Sequence, residues 1–178
     1  MVKKNTVVLL FAAGLFCASP STVLAGGHGD AVSSSSAAPG GLTVWGILGH
    51  HHSRAGFGVG IHYMIPLGEG LLHDAGVRDG FSLELGADLT TFYYYDHGAY
   101  LRIRPAVGVL WTFWLLDELA LYPKLDVGMP VWFLHPNRGP LGWPGPNFAL
   151  GLLYALDGLD LRVELGAYGL HLGALFRF

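Results

Sequence analysis

Charged side chains in this chain recur at alternate positions: Glu84 and Asp88, Arg102 and Arg104, Lys124 and Asp126, then Asp160, Arg162 and Glu164, with Arg177 further on. Acids and bases so arranged can select ions along a pore. They can also neutralise one another in an interior where no lone charge is tolerable. The carboxylates Glu84, Asp88, Asp126, Asp160 and Glu164 equal in number the cations Arg102, Arg104, Lys124, Arg162 and Arg177. That balance favours a structural salt-bridge network, which His62 and His171 are expected to join. A second cluster, His50-His51-His52-Ser53, offers imidazoles of the kind that bind Zn²⁺, Cu²⁺ or Ni²⁺. Consecutive strand residues point to opposite faces, so a three-histidine metal site would need a turn. A solvated loop is the plainer reading. The sequence contains no phosphate-cradling glycine loop, no cysteine metal motif and no basic stripe. No cofactor and no nucleic-acid partner are expected.

The elements that must position these groups are constrained by composition. Residues 1–25 read as a secretory signal peptide: Lys3 and Lys4, an apolar run over 7–16, and Val23-Leu24-Ala25 with small residues at −3 and −1 of a cleavage site. The run is too short for the about 20 residues of a membrane-spanning helix. Phe16 stands before Cys17 where a lipoprotein signal has Gly or Ala. Cleavage would remove Lys3, Lys4 and the one cysteine, leaving 8 of the 10 Lys+Arg against 13 Asp+Glu and no intrachain disulfide. Charged residues are 13% and hydrophobic residues 52% of the chain, whereas a soluble domain carries about 25% charge. The apolar stretch 105–116 of the mature chain, 12 residues, is again too short for a membrane helix. A chain too apolar for water and too interrupted for membrane helices fits the other structure that spans a bilayer with its backbone satisfied, a closed β-barrel.

Residues 26–41 are small and polar and read as a flexible periplasmic leader. From there period-two alternation recurs over 57–67, 81–95, 99–115, 119–133, 148–156, 159–165 and 168–178, with 43–49 a weaker eighth candidate. The expected fold of 42–178 is therefore an all-β, antiparallel up-and-down transmembrane β-barrel of eight strands, seven remaining open. Residues 67–80 form an unexpectedly long connection on the short-turn side. Pro105 and Pro123 fall inside strands, where each removes a ladder donor, and bulges or the membrane boundary are the places open to them.

Alternation alone also fits a soluble barrel with its apolar face inside. Three features turn that face outward. The polar face is rich in Gly and Ala, including Gly58, Gly60, Gly86, Ala106, Gly108, Gly128, Ala149 and Gly151, which suit a narrow interior. Its charges balance. The chain closes on an apolar strand ending in Phe178. Tyr93, Tyr95, Trp111, Phe113 and Trp132 are expected in interfacial girdles, and Trp143 on an outer loop over 135–146.

Leader, alternating strands and terminal Phe178 together resemble the small outer-membrane β-barrel proteins of Gram-negative bacteria. The resemblance implies Sec-type export to the outer membrane, outer-membrane lipid and the barrel-assembly machinery as partners, and a monomer. It also implies that Tyr168, Leu170, Leu172, Phe176 and Phe178 form the assembly signal. The stretch His51-His52-Ser53-Arg54-Ala55 is similar to the His-x-Ser-Asn-Ala stretch of outer-membrane lipid A deacylases, which would make Ser53 a nucleophile and His51 its base, with an acid such as Glu84. Arg54 stands where that family has Asn, the motif lies near the N-terminus rather than in the second half, and Glu84 is expected in the lumen. The leading expectation is thus a non-enzymatic outer-membrane protein, with a membrane hydrolase and a narrow channel or small-ligand carrier as alternatives.

Overall fold

The computed structural model describes residues 38–51, 54–94, 98–133 and 141–178. The alternating segments form strands: β1 (Gly41–His51), β2 (Arg54–Glu69), β3 (Asp79–Tyr94), β4 (Gly98–Trp114), β5 (Leu119–Gly128), β6 (Val131–Phe133), β7 (Gly145–Ala155), β8 (Leu159–Gly166) and β9 (Gly169–Phe176). Each pairs antiparallel with the next along the chain, except that β5 and β6 both lie on β4, and β9 returns to pair with β1. β5 and β6 share one place in the ring, so these nine strands make a closed all-β barrel of eight strand positions. The weak candidate over 43–49 is the core of a full strand, β1, paired on both sides. That settles the count at eight.

The connections 70–78, 115–118 and 156–158 lie at one end of the barrel, here the turn end, with the beginning and end of the described chain. The facing strand ends at 51 and 54, 94 and 98, 133 and 145, and 166 and 169 lie at the other, the loop end. The long connection after β2 is folded: a 3₁₀ turn (His73–Ala75) sits in it. Leu72 N donates to Asp79 Oδ2 (3.2 Å), and Arg78 donates to the carbonyls of Leu116 and Asp117 in the neighbouring turn. Residues 38–41 of the expected leader belong to this end too, with Ala38 buried and Ser82 Oγ donating to the Pro39 carbonyl at 2.7 Å. The signal peptide, leader residues 26–37, His52, Ser53, Tyr95 and most of the outer loop before Leu141 lie outside the described residues.

Pro105 and Pro123 sit at neither bulges nor strand ends. The β4–β5 pairing keeps one register from Trp114↔Ala120 to Leu101↔Phe133 and merely lacks ladder pairs beside each proline. Met129 N still donates to the Pro105 carbonyl at 3.0 Å. Pro105 cannot return that bond, and this omission separates β5 from β6.

Polarity is inverted relative to a soluble protein. On every full-length strand one set of alternate residues is apolar and faces out, for instance Val59, Leu125 and Leu165 at 55%, 58% and 65% exposed. The facing set is buried and polar: Thr43, His62, Glu84, Asp88, Thr90, Arg102, Arg104, Lys124, Asp126, Asn147, Asp160, Arg162, Glu164 and His171. Two expectations are corrected. Trp132 lies inside the barrel, 6% exposed, and not in a girdle. Tyr168 does not share the outward face of Leu172 and Phe176; its ring lies over the guanidinium groups of Arg102 (5.3 Å) and Arg104 (4.2 Å). It leaves the apolar face because it occupies the β8–β9 turn, where strand parity no longer fixes direction.

The interior glycines make room for large partners. A Cβ on Gly86 would collide with the His62 ring, one on Gly151 with the Tyr122 ring, and one on Gly128 would lie 2.6 Å from Arg104 Nε. Each gap is thus filled by a ring or charged group from a neighbouring strand. Gly151→Val is expected to cost about 1–3 kcal/mol by overpacking, read as a lower urea midpoint for the folded protein in detergent. The outward change Leu152→Val should move it far less.

Candidate functional site

The interior charges converge on a connected centre because strand parity turns them inward and barrel closure brings opposite strands within reach. β3 and β8 lie across the ring from each other, four strand positions apart in either direction. Yet Arg162 Nη1 of β8 donates to Glu84 Oε2 of β3 at 2.9 Å. That contact spans the lumen. Arg162 Nη1 also donates to Thr43 Oγ1 at 2.9 Å, while its Nε and Nη2 donate to Tyr122 OH at 3.3 and 3.1 Å. Trp45 and Tyr122 lie under the guanidinium at 4.5 and 4.9 Å.

Glu84 is the hub. Besides Arg162, its Oε1 accepts from Lys124 Nζ and from His62 Nδ1, each at 2.8 Å. Lys124 Nζ also reaches Glu164 Oε1 at 2.8 Å, and Tyr122 OH donates to Glu164 Oε2 at 3.4 Å. The other His62 nitrogen, Nε2, lies 2.9 Å from Asp88 Oδ1. Both ring nitrogens therefore face carboxylates, an arrangement that the doubly protonated imidazolium satisfies with its two donors. Arg104 pairs with Asp126 and lies 3.7 Å from Asp88. Asn147 Nδ2 completes Asp126 at 2.8 Å, and Asn147 Oδ1 accepts from Ala167 N at 3.0 Å, tying the β8–β9 turn to the network. His171 lies at its margin, Nδ1 3.7 Å from Glu164.

Three sequence-predicted members, Asp160, Arg177 and Arg102, stand apart. Arg177 pairs with Asp160 and donates to the Leu156 carbonyl, making a separate pair at the turn end with the arginine partly exposed. Arg102 is buried, but no described carboxylate pairs with it; the rings of Phe92, Trp132 and Tyr168 surround its guanidinium at 4.8–5.8 Å. Between the central network and the turn end, Met64, Leu110, Ala120, Tyr122, Leu153 and Leu175 form an apolar layer across the lumen.

Sequence reasoning missed Tyr122, Asn147 and Thr43 as members. The signal was present, since Tyr122 shares parity with Lys124 and Asp126, and Asn147 with the inward Ala149. It also missed Asp79, buried at the turn end, whose Oδ2 accepts from Trp111 Nε1 at 2.8 Å.

The alternative catalytic set is not brought together by the described strands. His51 pairs with Arg54 at the loop end of the β1–β2 hairpin. Glu84 pairs with Met64, ten residues further along β2, about 33 Å of strand away. The side chains of His50 and His51, and all of His52, lie outside the described residues. Among the described residues no group of three or more His, Cys, Asp or Glu side chains is placed to hold a metal ion.

Removing one partner of a buried ion pair strands the other. Glu84→Gln is expected to destabilise the barrel by about 3–5 kcal/mol, and Arg177→Ala, at the partly exposed end pair, by less than about 1 kcal/mol. Urea unfolding of both variants by far-UV circular dichroism checks the ranking, and equal losses would refute a Glu84 hub. No protein-family model and no curated protein matches this chain.

Proposed function

We propose that this chain is an integral outer-membrane β-barrel protein of a Gram-negative bacterium, a membrane scaffold for its outer loops with a lumen closed by salt bridges, and not an enzyme. One observation carries the reading: apolar side chains face out on every full-length strand while ionised groups are enclosed. In water that arrangement exposes far more contiguous apolar surface than a monomer tolerates. In hydrocarbon it is the favoured one, because a closed barrel leaves no unpaired strand edge.

Aromatic pairs support the same reading. Phe81, Trp111 and Phe113 cluster toward the turn end, Tyr63 stacks on Phe178 there, and Phe57 stacks on Tyr93 toward the loop end. The two bands match the girdles that flank a membrane barrel's apolar belt. β2, β3 and β4, at 16, 16 and 17 residues, exceed the about 9–11 that a tilted membrane strand needs. Their loop ends would rise above the bilayer. Export by residues 1–25, outer-membrane lipid and the barrel-assembly machinery as partners, and a monomeric state belong to this proposal. So does recognition of the strand carrying Leu170, Leu172, Phe176 and Phe178 by that machinery.

Cell fractionation with gel migration before and after boiling tests it. Recovery in the outer membrane with a heat-dependent shift is expected; a soluble periplasmic protein without a shift would overturn the membrane reading. In planar bilayers the bridged lumen is expected to give no steady conductance. Lipid A acylation should be the same in cells with and without the protein, and deacylation that disappears in Ser53→Ala would replace the scaffold reading with a hydrolase.

A further inference from the structure

Arg102 stands outside the interior ion pairs formed among the described residues. Glu84, Asp88, Asp126 and Glu164 are answered by Arg104, Lys124, Arg162 and a His62 that bridges two of those acids. Asp160 and Arg177 form their own pair at the turn end. Asp79, near that end, accepts from Trp111 Nε1 and Leu72 N through Oδ2 and is a sixth buried acid, its Oδ1 without a partner among the described residues. Arg102 is left over. It is 2% exposed, and its Nε has no hydrogen-bond partner among the described residues. Three aromatic faces soften the burial of a guanidinium but accept none of its in-plane N–H bonds. The nearest acid on β3, Asp88, is already committed to His62 and Arg104.

A second polar group points to the same place. Thr90 is directly opposite Arg102 in the β3–β4 ladder and is fully buried, and its Oγ1 has no partner among the described residues. Side chains so paired on one face of a sheet stand about 5 Å apart at Cβ. The Arg102 Nε and the Thr90 hydroxyl, both able to donate and both without a partner among the described residues, face the lumen on its loop side. The Arg162–Glu84 bridge and the apolar layer lie between them and the turn end.

We propose that the lumen beside Arg102 binds a small oxyanion, a carboxylate or a phosphate, which pairs with Arg102 and accepts from Thr90 beneath the rings of Phe92, Trp132 and Tyr168. The anion supplies the acceptor that Arg102 Nε lacks among the described residues.

The test is thermal unfolding of the folded full chain in detergent, with sodium phosphate or sodium acetate against sodium chloride at equal ionic strength. A ligand held only by the native state raises Tm in a saturable way, on the order of 5 °C at a hundredfold excess over Kd. Arg102→Met is expected to abolish that rise and, by removing an unanswered charge, to melt no lower than the parent without added anion. Thr90→Val keeps the cation and should weaken binding roughly three- to tenfold. A parent Tm that follows ionic strength alone would overturn the proposal, as would an anion-dependent rise that survives in Arg102→Met. If Arg102→Met does not fold, the Thr90→Val titration decides: an unchanged apparent Kd refutes the site.

Discussion

Arg162 lies wholly inside the barrel, and the surrounding structure is arranged so that its charge can be there. A guanidinium removed from water is strongly destabilising unless its donors are answered. Its answers come from β1, β3 and β5: Thr43, Glu84 and Tyr122, with Trp45 beneath its face. The contact with Glu84 crosses the lumen and so requires the sheet to be closed. Closure and charge burial are therefore one condition here. An open sheet would leave both groups unanswered, and an uncharged interior would leave the ring unpinned across its width.

The demands of that centre explain the sequence around it. Lys124 and His62 bring cations to Glu84, and Glu164 is needed in turn for Lys124. Rings and long side chains crowd so closely that the wall beside them is cut back to glycine at positions 86, 128 and 151. Toward the turn end the charges give way to an apolar layer, and toward the loop end to aromatic rings around Arg102. The interior is graded along its axis, with ionic pairing where water is most thoroughly excluded.

The outer wall obeys a simpler rule. Apolar side chains of many kinds occupy it with little specific contact beyond aromatic pairs near its ends. The prolines fit this division. Pro105 and Pro123 point outward and cost the β4–β5 ladder a donor each without moving its register, while the inward pair Arg104–Asp126 ties the two strands together from within.

Alternation with period two was enough to determine the strands, their number to within one, and which residues face the interior, because a strand has only two faces and a one-residue slip would exchange them all. Glu84, Lys124, Arg162 and Glu164 could be assigned to one network on parity alone. Parity is silent about height and about the opposite wall. That Arg162 meets Glu84 across the barrel, that Arg177 drops out into a pair with Asp160, and that Arg102 pairs with no acid among the described residues follow only from closure and stagger, which bring together residues far apart in the chain. Tyr168 and Trp132 were misplaced for related reasons: one sits in a turn, where alternation lapses, and the other has an aromatic character that suits an interface as well as a lumen. Equal counts of acids and bases suggested complete neutralisation. The tertiary structure overrides that count, because pairing is decided by distance: His62 takes a place between two carboxylates, and Asp79 is buried at the turn end, where no described cation pairs with it.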